Sequence, residues 1–375
     1  MTQTSHTVDP IRDKPHGPQT TWARRLLGPL HVTGVAWYRL HWWCTFFPDW
    51  FITTMIWLHT AFFWVCLRKI RRAVAHNLEA VLGPCGFWQR QRRIWRTFHE
   101  FAWCMTERYE QFHAGSRFAF AFDGEHVYRQ MQESTRGYVF FTAHFGNWEM
   151  GPLVREVPRG RRFHVVREPE MNAPAQRFVA ELFDRHPHRD QFVVHYAGAD
   201  LTLGAKLLMA LRKGDIVALP GDRPRAGMGS LRTTMLGRPM DLPPGPAALA
   251  RAADAHMVPV FVFREGRRRY RIVARDPIVV EKTDDKDRDI AAAVARMADE
   301  CEWAIRQRPH HWFCWAELCV QPGTWVTLLT GHMGDTPDRS DEGSSRRTAW
   351  FGWSCNPRSE ATRMRLHPNY AGREG

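Results

Sequence analysis

His144 and Glu149 stand in the run Tyr138-Val139-Phe140-Phe141-Thr142-Ala143-His144-Phe145-Gly146-Asn147-Trp148-Glu149-Met150, and an imidazole followed closely by a carboxylate is suited to removing a proton from an alcohol. Imidazole titrates near neutral pH and can take that proton, while a carboxylate beside it fixes the ring tautomer and stabilises the protonated form. Hydroxyl activation of this kind serves acyl transfer. A histidine followed by a glutamate is more often a satisfied interior histidine and an exposed carboxylate at a helix start. The Phe-Gly-Asn-Trp spacer between them is what favours chemistry here.

The elements around the pair are legible. Tyr138 to Thr142 is an unbroken aromatic and β-branched run, which suits a strand buried on both faces and leaves His144 at its end. Gly146 and Asn147 can make a turn, Asn147 is a good helix N-cap, and Glu149 then falls in a first helical turn. Such a reversal brings residues five apart back towards one another, beside a helix N-terminus able to stabilise developing negative charge.

Strand-like and helix-like stretches alternate after this block. Strands are expected at 162–167, 191–196, 216–220, 258–264 and 269–280, and helices at 173–185, 200–213, 245–256 and 287–308. The alternation predicts an α/β layered fold with a mostly parallel central sheet flanked by helices. Ligands of such sheets gather at the carboxyl ends of strands, where His144 would lie. Arg167 emerges from the strand Phe163-His164-Val165-Val166, and its guanidinium fork matches the oxygens of a phosphate or a phosphopantetheine. The loop Gly221-Asp222-Arg223-Pro224-Arg225-Ala226-Gly227 offers backbone donors and cations to an anionic ligand.

The string His-Phe-Gly-Asn-Trp-Glu at 144–149 resembles the His-x4-Asp/Glu block of the lysophospholipid acyltransferase superfamily, and within it the late lipid A acyltransferase branch. Further segments are similar to that family's later blocks: Arg167-Glu168-Pro169, the Asp222 loop with Leu236-Gly237-Arg238-Pro239, the stretch from Pro244 to Val262, and His310-His311-Trp312-Phe313-Cys314-Trp315. The sequence departs from the pattern in Glu168, in Arg223 and Arg225, in Leu236 before Gly237, and in lacking the closing His-x-Arg. The resemblance implies His144 as general base paired with Glu149, and Asn147, Arg167, Asp222, Arg223 and Gly237 as substrate-binding positions. It implies acyl-carrier protein as donor, with coenzyme A as an alternative, and a lipid A precursor as acceptor. A phosphatidylinositol mannoside or a lysophospholipid is the alternative acceptor. No cofactor and no metal are required by this arrangement.

With 375 residues, 44% hydrophobic and 13% aromatic, the chain can bury a core and is not a disordered protein. Its net charge of +13 is gathered in clusters at 68–72, 90–96, 159–162 and 267–269, which implies anionic partners. Phospholipid, an acidic carrier protein and nucleic acid all satisfy charge alone. Nothing in the sequence looks like a nucleic-acid reading motif, so nucleic acid is not expected. The alternative of another class is a non-catalytic basic protein that binds membranes. The eight cysteines show no metal-binding or secretory spacing, and reduced thiols in a cytosolic setting are expected.

Four regions follow from composition: a polar, disordered start over 1–21, a membrane-associated helical segment over 22–72, a catalytic domain over 73–321 and a disordered tail over 322–375. No cleaved signal peptide is expected at the start. Seven of the 17 tryptophans lie in the second region, where Trp50 to Leu67 carries no formal charge before the cluster at 68–72. That stretch spans a bilayer, lies in one leaflet or forms a buried core helix, and either membrane reading places the active site beside lipid at the cytoplasmic face of an inner membrane.

Overall fold

The computed structural model describes residues 35–150, 160–170, 173–185, 189–198, 202–224 and 228–317. The expected polar start, the beginning of the 22–72 segment and the expected tail lie outside them. The chain opens with four helices, α1 (Val35–Cys44), α2 (Asp49–Cys66), α3 (Arg68–Leu82) and α4 (Phe87–Ala114). Helix α2 buries Ile52, Ile56, Thr60 and Phe63 along one stripe, and Ile52 and Ile56 pack on Ala102 and Trp103 of α4. Its other side leaves Trp50, Trp57, Leu58, Phe62 and Val65 exposed. Helices α2 and α3 meet at 95°. Among the described residues no single helix is long and apolar enough to cross a membrane, and this bent pair qualifies only when taken together.

The α/β part runs β1 (Ala119–Asp123), α5 (Glu125–Glu133), β2 (Tyr138–Thr142), β3 (Phe163–Arg167), α6 (Ala173–Asp184), β4 (Phe192–Tyr196), α7 (Leu203–Arg212) and β5 (Ile216–Pro220). It continues with β6 (Leu231–Met235), β7 (Arg238–Leu242), α8 (Gly245–Ala253), β8 (His256–Gly266), β9 (Arg269–Ala274), β10 (Ile278–Val279) and α9 (Lys286–Gln307). The main sheet has the order β1-β9-β8-β2-β5-β3-β4, with β10 against β8. Strands β8, β2, β5, β3 and β4 are parallel, and β9 reverses against β8. The expected layered fold with a mostly parallel sheet is the observed one.

Strand β2 lies inside the sheet and is apolar on both faces for that reason. Val139 and Phe141 join the larger core with α7, α8 and α9, whereas Tyr138 and Phe140 face Val127 and Met131 of α5. Three departures from the expected elements have local causes. The helix expected to reach His256 stops at Ala253 because Asp254 turns left-handed, φ 58°, and His256 already belongs to β8. The strand expected over 269–280 breaks into β9 and β10. The helix start expected at Trp148 is a turn through Met150, and the residues that follow lie outside the described set.

Buried or half-buried members of two of the four basic clusters, Arg161 and the pair Arg267 and Arg268, are consumed within the fold. Glu107 and Glu110 of α4 are fully buried. They bind Arg264, Arg267 and Arg268 of the β8–β9 hairpin, with Asp49 of α2 closing the network. Arg161 donates to the carbonyls of Met131 and Arg136. Attraction for anions therefore falls, among the described residues, to the exposed members of 68–72 and 90–96 together with Arg162 and Arg269.

Candidate active site

Register sets the site. Thr142 on β2 pairs with Pro220 on β5, and the Gly221 N–H donates to the Thr142 carbonyl at 2.8 Å. Two residues beyond that pair, on adjacent parallel strands, stand His144 and Asp222. Their side chains meet, with His144 Nδ1 2.5 Å from Asp222 Oδ1. Asp222 is buried behind the ring, and its second oxygen accepts the Trp312 indole N–H at 3.2 Å. Arg223 brings its Nε to 2.9 Å from His144 Nδ1 and donates through Nη2 to the Phe313 carbonyl at 3.0 Å.

A ring nitrogen carries at most one hydrogen, so the two contacts at Nδ1 are exclusive. With a hydrogen there, the ring donates to the carboxylate and Nε2 carries no hydrogen; without one, Nδ1 accepts from Arg223. The shorter contact to an anion favours the first state, which is the one a general base needs. Burial, and then the Arg223 cation, push the imidazole down to about 4 against the opposing pull of Asp222. The resting ring is therefore neutral at physiological pH. Asp222 is itself held well below the usual carboxylate range, because His144 and Arg223 outweigh its burial.

The backbone around His144 is clamped by the segment after α9. Phe313 N–H donates to the His144 carbonyl at 2.9 Å and Gly146 N–H donates to the His311 carbonyl at 2.8 Å. Gly146 has φ 57°, and a Cβ there would stand 1.9 Å from the Val262 carbonyl oxygen. Only glycine fits. Trp148 meets the His144 ring edge-on with centroids 5.4 Å apart.

Glu149, implied by the resemblance as the partner of His144, lies nearby in an electrostatic cluster of its own, and the carboxylate that meets Nδ1 is that of Asp222, implied as a substrate-binding position. Glu149 binds Arg108 of α4 and stands 3.5 Å from Arg167 Nη2 at the end of β3. Arg167 is also 3.5 Å from Glu170, which accepts the Tyr38 hydroxyl at 2.9 Å. Burial works against charge on Glu149, but Arg108 and Arg167 outweigh it and lower its pKa. The field of Glu149 in turn favours the protonated form of His144.

Both groups open on one cavity of 280 Å³. Its polar end holds His144, Glu149, Arg108 and Arg167, and its length runs between the sheet and α5 past Phe140, Phe163, Ile216, Val260, Val127 and Met131. A linear hydrocarbon suits such a slot, at about 0.8 kcal/mol for each methylene buried.

Of the positions singled out from sequence, the fold thus gathers His144, Glu149, Arg167, Asp222 and Arg223. Asn147 lies behind the cavity wall, where its buried amide donates to the Cys104 carbonyl at 3.0 Å and to the Tyr270 hydroxyl at 3.2 Å. Gly237 is distant in role. It makes the tight β6–β7 turn with Leu236, both at positive φ, and does not line the cavity. Arg108 and Trp312 went unrecognised as site residues. Arg108 is one cation in a basic helix, and only the packing of α4 against the site separates it from the others. Trp312 was visible within its aromatic segment, but nothing local tied it to Asp222.

A family model described as bacterial lipid A biosynthesis acyltransferase matches residues 31–317. No curated protein matches the chain in sequence. Among solved structures, the 1-acyl-sn-glycerophosphate (LPA) acyltransferase PlsC from Thermotoga maritima is similar with 10% identity and a TM-score of 0.32, covering 68% of this chain and 97% of that one.

Proposed function

Because the chain belongs to the bacterial lipid A biosynthesis acyltransferase family, and is thus an acyltransferase acting on lipid substrates, we propose that it moves a fatty acyl group from a thioester to a hydroxyl of a lipid A-type glycolipid precursor. His144 Nε2 takes the hydroxyl proton as the oxygen attacks the thioester carbonyl. The C–S bond then breaks, and the imidazolium returns the proton to the leaving thiolate. Asp222 holds the tautomer and stabilises the imidazolium through Nδ1. Glu149 adds a second negative field and positions Arg108 and Arg167, which face the anionic part of donor or acceptor at the polar end.

The observation that carries this reading is the buried His144–Asp222 pair at the mouth of an apolar slot whose polar end also bears two arginines. Acyl-carrier protein is the proposed donor, since an acidic carrier complements the exposed cations of 90–96, and acyl-coenzyme A is the alternative. The exposed tryptophans of α2, followed directly by Arg68, Lys69 and Arg72, support attachment to the cytoplasmic face of an inner membrane.

The test is thioester turnover by detergent-solubilised protein with acyl-carrier protein or coenzyme A as carrier and a panel of acceptors. Turnover is expected with a lipid A precursor and lost in His144→Ala that still melts cooperatively. Preference for a lysophospholipid or a mannosyl lipid would replace the acceptor, and full activity in His144→Ala would remove the base.

A further inference from the structure

The α5-facing side of β2 carries Tyr138, Phe140 and, by the two-residue alternation of a strand, Thr142. Thr142 lines the cavity. Its backbone is fixed by the Gly221 N–H and the pairing with Pro220, yet its Oγ1 is buried with no hydrogen-bond partner among the described residues. An unbonded buried hydroxyl is costly, and valine would occupy the same space without that cost. The position lies two residues before His144, in the same cavity wall. A donor left unsatisfied in a cavity-lining residue reaches a bound molecule by a turn of the side chain about its Cα–Cβ bond.

We propose that Thr142 is a catalytic residue whose hydroxyl donates a hydrogen bond to the carbonyl oxygen of the bound thioester, a role that rests on the acyl-transfer reading above. When the acceptor oxygen bonds to the carbonyl carbon, the C=O electron pair moves onto oxygen and the bond from Thr142 strengthens. When the C–S bond breaks, that pair reforms the carbonyl and the proton on His144 passes to the thiolate. Thr142 keeps its own proton throughout. No other cofactor or co-reactant is consumed.

The experiment compares wild type, Thr142→Val, Thr142→Ser and His144→Ala as full chains in detergent, by thioester turnover and thermal melting. Thr142→Val is expected to lose about 10²-fold in kcat, with KM for the thioester little changed and a melting temperature equal to or above wild type. Thr142→Ser is expected to recover most of that loss. A Thr142→Val enzyme within about threefold of wild type, or a Thr142→Ser enzyme as slow as Thr142→Val, overturns the proposal. So does a lowered melting temperature or failed folding of Thr142→Val, which would mean that the hydroxyl is bonded within the fold. His144→Ala separates the two levels: its inactivity beside an unimpaired Thr142→Val removes Thr142 alone, whereas its full activity removes the acyl-transfer site.

Discussion

His144 and Asp222 are 78 residues apart in sequence and sit at equivalent places, each two residues beyond the Thr142–Pro220 pair on neighbouring strands. The parallel register of β2 and β5 is therefore the device that brings the proposed base and its carboxylate together. Neither residue needs a flexible loop to find the other.

Replacing Asp222 with Asn tests that device. The charge that holds hydrogen on Nδ1 is lost, and Arg223 at 2.9 Å then donates to Nδ1 and leaves the hydrogen on Nε2, where it blocks proton abstraction. Asp222→Asn is expected to lower kcat by about 10²- to 10⁴-fold with little change in KM. Steady-state thioester kinetics check this, and wild-type kcat would show that Asp222 does not set the tautomer.

The pH profile reports on Arg223. With His144 as the proposed base, activity needs the neutral imidazole, and turnover is expected to fall as pH drops through its pKa of about 4. The Arg223 cation is one cause of that low value, and removing it makes protonation easier. Arg223→Gln is expected to move the acid limb of kcat/KM upward by about one pH unit, and Arg223→Lys to hold it near wild type. An unmoved or lower limb in Arg223→Gln would contradict the electrostatic assignment.

Legibility in the sequence follows the range of the interaction. The strand at 138–142 and the turn that follows the proposed base are local, and residue types alone locate them. The alternation after residue 160 likewise carries the layered fold, because buried parallel strands must be apolar and their helices amphipathic. The direct contact from Asp222 to His144 depends on sheet order, which places β5 rather than β3 beside β2, and no periodicity encodes that. For the same reason the arginines at 267 and 268 read as surface charge. Their partners Glu107 and Glu110 lie on a helix more than a hundred residues away.

Glu107 gives a stability prediction that does not involve the chemistry. It accepts from Arg264 Nε at 2.9 Å, Arg267 Nη1 at 3.1 Å and the Arg268 backbone at 2.7 Å, and it binds the Tyr270 hydroxyl that also touches Asn147. Glu107→Ala strands these buried donors and cations. A loss of about 3–5 kcal/mol is expected, measured as a lower urea midpoint in detergent. A midpoint equal to wild type would mean that solvent reaches the arginines.

Membrane attachment is tested on the exposed face of α2. Trp50 is 71% exposed and Trp57 56%, and both precede the basic cluster. The double variant Trp50→Ser, Trp57→Ser is expected to lower the fraction sedimenting with anionic phospholipid vesicles. Salt is expected to weaken the wild type further through Arg68, Lys69 and Arg72. Unchanged sedimentation would place the contact elsewhere.

Gly146 is the position where backbone and chemistry are least separable. Alanine at φ 57° costs about 1–2 kcal/mol, and its Cβ, at 1.9 Å from the Val262 oxygen, forces β8 and the His144 turn apart at a further cost of about 1–3 kcal/mol. The Gly146 N–H to His311 bond is the first to be displaced, and with it the clamp that presents His144 to Asp222. Displacing a catalytic group by about 1 Å costs about 10²-fold in rate, so Gly146→Ala is expected to be both less stable and at least that much slower. Thermal melting read beside kcat at a temperature where the variant is fully folded separates the two effects. A folded Gly146→Ala enzyme with wild-type kcat would show that the turn can relax without moving the base.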